Sequence, residues 1–73
     1  MKEIYITPFD GEILKVKKRL IVYRSASEKY VLNQTLFVIS VNNLTGEISG
    51  VFNCTITNII ASKKHISLLI ELL

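Results

Sequence analysis

The fourteen-residue stretch EISGVFNCTITNII, Glu47 to Ile60, constrains this chain more than any other. Ile48, Gly50, Phe52, Cys54 and Ile56 share one parity, and Ser49, Val51, Asn53, Thr55 and Thr57 share the other. A period of two is the pattern of a strand that buries one face. Strands usually run about three to ten residues, so one this long must bend. Gly50 interrupts the pattern where a bulge or sharp turn of the strand is expected. A bent strand of this length suits two halves of one small barrel.

The rest of the chain divides into shorter segments of similar character. Glu3–Thr7, Glu12–Val16 and Arg19–Arg24 alternate, and Lys29–Leu32 is a short strand candidate. TLFVISV, Thr35 to Val41, is apolar on both parities, which marks a central strand or one whose second face meets a partner. HISLLIELL closes the chain, with Ile66, Leu68, Ile70 and Leu72 on one parity. Pro8 with Asp10-Gly11, Lys17-Lys18, Ser25–Glu28, Asn42–Gly46 and Ala61–Lys64 read as the connections. Eleven isoleucines against two alanines favour strands, because β-branched side chains fit a pleated surface and are stiff in a helix.

The expected fold is therefore a single all-β domain over residues 1–73. It is a small meander or partly open barrel, of oligonucleotide-binding or Src-homology-3-like size, with five to seven short antiparallel strands. A C-terminal helix capped by Asn58 is the alternative for the last segment. Ser25 with Glu28 also forms a capping-box pattern, but the β-branched run that follows argues against a helix there.

Charge is unevenly placed. The net value is only +3, from nine basic and six acidic residues, yet seven of the nine basic residues precede Tyr30. Between Tyr30 and Ser62 the sole formal charge is Glu47. A chain of 73 residues has a thin core, and 49% apolar content is high for it. With Cys54 as the only cysteine, no intramolecular disulfide and no cysteine metal cluster forms. The N-terminus lacks the pattern of a secretory signal and no run reaches 18 apolar residues, so the expectation is a cytoplasmic protein with no membrane partner. Asn33, Asn43 and Asn53 each begin an Asn-x-Thr pattern, read as turn-type Asn beside strand-type Thr.

The supply of catalytic groups is poor. His65 is the only histidine, and Cys54 has the inward parity of a small buried hydrophobe. Asp10 and Glu12 alone make a poor metal site. No enzyme activity, metal, cofactor or small-molecule substrate is expected. Two binding roles remain. The first is homo-oligomer assembly through Phe37, Ile39, Val41, Leu69 and Leu73, in the nearly uncharged half of the chain. The second is nucleic-acid binding by a basic hairpin, residues 15–24. There Lys15, Lys17, Lys18, Arg19, Arg24 and, just beyond, Lys29 would neutralise phosphate, and Tyr23 would stack on bases.

Overall fold

A computed structural model describes residues 2–73. The elements are β1 (Lys2–Ile6), α1 (Pro8–Lys17), β2 (Arg19–Ser25), β3 (Thr35–Val41), β4 (Ile48–Ala61) and β5 (His65–Leu72). The five strands form one sheet in the order β1-β3-β4-β5-β2, which curls into a half-barrel with α1 against its inner face. This is the expected small, partly open β architecture, with one helix added.

β4 is the shared strand. Residues 48–55 pair with β3 and residues 54–61 pair with β5, both antiparallel. Two bulges bend it. Ser40 faces Gly50 while Val41 faces Ile48, so Ser49 is the extra residue beside the predicted glycine. Thr57 is the second, between the pairs Ile56–Ile70 and Asn58–Leu69. Each extra residue reverses the parity beyond it. Ile48, expected inside, is therefore exposed, and beyond Thr57 it is Ile59 that packs on the core while Ile60 points out.

Three local readings are corrected. Pro8–Lys17 is a helix, not a turn followed by a strand. Thr7 caps it, its hydroxyl accepting from the Asp10 N–H at 3.1 Å. Pro8 falls in the first turn, where its missing N–H costs nothing, and Asp10 and the pair Lys15 and Lys17 complement the helix dipole at opposite ends. Lys18 ends the helix in the left-handed region at φ 66°, donating its N–H to Leu14 at 2.9 Å. Asp10-Gly11 thus lies within the helix. A Cβ on Gly11 would stand 2.6 Å from Ser40 Oγ, so the glycine lets the helix approach β3.

Lys29–Leu32 is the second correction, since it belongs to a connection and not a strand. Tyr30 anchors that connection on the core, its hydroxyl donating to Glu28 Oε1 at 2.6 Å. The third is that β1 runs parallel to β3, with Ile4 beside Val38, so the sheet is not wholly antiparallel. The last segment is a strand, as preferred over a helix, and Ile66, Leu68 and Ile70 on it are buried.

The core lies between the inner face of the sheet and α1. Leu14, Leu36, Val38, Cys54, Ile56, Leu68 and Ile70 are fully covered, and Ser40 joins them as a buried polar group. Its hydroxyl is satisfied by Ser49 Oγ at 2.7 Å and the Thr7 carbonyl at 3.3 Å.

Candidate functional site

Among the described residues nothing forms a layer over the outer face of the sheet. On it Tyr5 lies beside Ile39, which lies beside Val51 on the next strand. At the other end of the sheet Ile21 faces Leu69, and Tyr23 and Ile60 flank Ser67. Tyr5, Ile21, Tyr23, Val51 and Ile60 are all more than half exposed. Asn53, Thr55 and Glu71 separate the two apolar groups along the middle of the sheet.

The two groups meet again where the curl brings the edge strands together. Arg24 spans that seam, its guanidinium donating to the Tyr23 carbonyl at 2.7 Å and to the Tyr5 carbonyl at 2.8 Å. Both acceptors therefore face the gap between β1 and β2. A cleft of about 380 Å³ lies along it, with Tyr5, Tyr23, Ile21, Asp10, Arg24 and Asn43 among its walls. A groove of about 230 Å³ continues it over the outer face between Ile21, Tyr23, Ile60 and Leu69.

The residues expected at an oligomer interface fall on this surface. Phe37, Ile39 and Val41 line the outer side of β3 and are partly buried by their neighbours. Leu69 occupies the outer side of β5, and Leu73, just past its end, is strongly exposed and donates its N–H to Asn53. Tyr5, Ile21, Val51 and Ile60 were not among the residues selected from sequence. Ile21 shares the parity of Tyr23 and was open to selection, whereas the outward position of Ile60 depends on the Thr57 bulge.

The basic residues are not assembled as a hairpin. Lys15 and Lys17 sit on α1, Lys15 paired with Glu12 at 3.4 Å, and Lys18 is the helix cap. Arg19 is on the outer side of β2 opposite Glu71. Arg24 is engaged across the seam, and Lys29 is on the β2–β3 connection, its carbonyl accepting from Lys2. Lys17, Lys18 and Arg19 are the adjacent, exposed set. Tyr23 belongs to the cleft, and its ring is not in the core.

No catalytic constellation is present among the described residues, and no three metal-ligating side chains come together there. Cys54 is fully buried, and burial pushes its thiol up to about 11. Its register partner Leu72 is seven residues along β5 from His65, a span of roughly 23 Å at ~3.3 Å per residue. Asp10 and Glu12 are both on α1. No helix among the described residues is long and apolar enough to cross a membrane. The chain is a small, mostly antiparallel five-stranded β-fold with one short helix. Comparison with models of protein families, with curated proteins and with solved structures finds no match.

Proposed function

We propose that this protein is a self-associating structural or interaction module that works through the outer face of its sheet. The observation that carries this reading is the uncovered apolar surface on strands whose other side already forms a complete core. A folded monomer of 8.3 kDa is expected to expose roughly 4,600 Å². This chain exposes 5005 Å². The excess is shared between isolated residues such as Phe9, Val16 and Leu44 and the outer face. Isolated apolar residues are ordinary, but contiguous ones mark interaction sites.

Sedimentation equilibrium over a dilution series tests the reading. The expected result is a mass above the monomer that falls on dilution, with Leu69→Lys weakening association at least tenfold. A mass that stays monomeric up to about 1 mM, equivalent to no more than about −4 kcal/mol, overturns it.

A second reading, nucleic-acid binding, is favoured by the consecutive exposed residues Lys17, Lys18 and Arg19 where α1 passes into β2. Titration with single-stranded and duplex oligonucleotides at two salt concentrations tests it. Neutralising the three together should weaken binding and flatten its salt dependence. Binding unchanged by those substitutions removes the reading.

A further inference from the structure

The seam between β1 and β2 carries a pattern that the outer face as a whole does not. Its cleft holds one positive and one negative side chain, Arg24 and Asp10, both among its walls. They do not pair with each other. Among the described residues the one ion pair is Lys15–Glu12. The Asp10 side chain has no hydrogen-bond partner there, and only its backbone N–H is engaged, by Thr7. Arg24 uses two guanidinium nitrogens on carbonyls and also lies near the Tyr30 hydroxyl and the Glu28 carboxylate, out of five N–H groups in all.

A surface that bears a positive and a negative side chain not paired with each other can be self-complementary. A two-fold axis through it places each positive group opposite the negative group of the other copy, as an isologous interface requires. The surrounding side chains suit the same arrangement. Tyrosine and arginine are the residue types that concentrate binding energy at interface centres, and Tyr5, Tyr23 and Arg24 stand together in this cleft. Tyr5, Ile21, Tyr23 and Ile60 are 58%, 55%, 66% and 63% exposed. Side chains of this size cover about 150–250 Å² each, so these four leave on the order of 500 Å² uncovered. With the partly exposed Leu69 and Ile39 beside them, the surface comes to roughly 600 Å² per partner, the lower end of the range for specific stable interfaces. The opposed charges leave the cleft without the single sign that would draw a polyanion.

We infer that a second copy of this chain docks on the β1–β2 seam about a two-fold axis, Arg24 of each protomer pairing with the partner's Asp10. This rests on the self-association reading and specifies its geometry.

A charge exchange tests it. Asp10→Lys and Arg24→Glu, each alone, set like charges against each other at both ends of the axis and should weaken dimerisation at least tenfold. Mixed in equal amounts they form a heterodimer in which both pairs are opposite in sign, so association should return. If either variant dimerises like wild type, or the mixture stays apart, the seam is not the interface, although wild-type association would still stand. A monomeric wild type overturns both readings.

Arg24→Glu also cuts the tie between the sheet edges, so circular dichroism accompanies it. Should it unfold, Asp10→Lys decides alone. Its weakening must be relieved by salt, because exposed like charges are screened, and weakening that salt leaves unchanged overturns the inference.

Discussion

The two sides of β3 differ in what covers them and hardly at all in what they are made of. Leu36 and Val38 face inward and are fully buried, whereas Phe37, Ile39 and Val41 face outward against nothing but strand neighbours. β2 repeats the contrast, with Leu20 and Val22 buried and Ile21 and Tyr23 exposed. In a sheet with one wetted side, the outer parity is normally polar. Here the middle of β4 and its neighbours follow that rule through Asn53, Thr55 and Glu71, as do Glu3, Arg19 and Ser67, but the Tyr5–Ile39–Val51 row and the Ile21–Leu69 pair do not. Apolar side chains inside a fold say only that it folds. The same side chains outside, where they adjoin one another, call for a second explanation.

The contrast breaks most directly by truncation. Leu36→Ala or Leu68→Ala should cost the protomer about 2–5 kcal/mol in urea unfolding, through lost transfer energy and the cavity left behind. Ile60→Ala should stay within about 0.5 kcal/mol when measured on the dissociated chain, because its side chain already meets water. Equal effects would mean that the outer residues contribute to the monomer and not to a partner.

A smaller effect sharpens the inner side. Gly11→Ala drives a methyl group to 2.6 Å from Ser40 Oγ and 2.9 Å from its Cβ. The helix must lift from the sheet, at about 1–3 kcal/mol. Adding Ser40→Gly should recover part of the loss, even though Ser40 also gives up its bond to Ser49. No recovery would place the cost in the helix itself.

A pH-dependent effect concerns Tyr30, which packs on the core from the β2–β3 connection. Burial and the Glu28 carboxylate push its phenol up to about 12 from an ordinary value near 10. A phenol whose pKa is higher folded than unfolded adds stability that is complete below pH 10 and lost as pH rises through about 12. Stability should therefore fall across that interval in wild type, and Tyr30→Phe should flatten this part of the profile. An unchanged alkaline limb would detach Tyr30 from the core's closure.

Much of this architecture was legible because the long β4 segment alternates and its glycine marks the first bulge. The helix was not, although its signals were present. Thr7, Pro8 and Asp10 form a helix start, with a capping hydroxyl, a first-turn proline and an acidic residue three positions on. They lost to Asp10-Gly11, which in isolation is a strong turn pair. What decided between them was tertiary, namely Leu14 packed in the core and Gly11 against Ser40. The parallel pairing of β1 with β3 leaves no local trace, because it joins residues 34 positions apart, as Lys2 with Leu36. The interface candidates on β3 and β5 followed from parity alone. The cleft did not, since it joins β1 to β2 through a curl that no single segment encodes.

The strand order also divides the chain in time. β3, β4 and β5 are consecutive and joined by short turns, so residues 35–72 form a meander of near-neighbour contacts. Both edges of the sheet come from the opposite end of the chain, β1 against β3 and β2 against β5, with α1 between them. Topology predicts that the first 25 residues close as a clasp over a meander formed earlier. Local contacts assemble fastest, while the clasp must find partners far along the chain. Changes within the meander should then slow folding, and changes in the clasp should speed unfolding. The seam should be the last place to close, and among the described residues the hydrogen bond across it from β2 to β1 comes from one guanidinium.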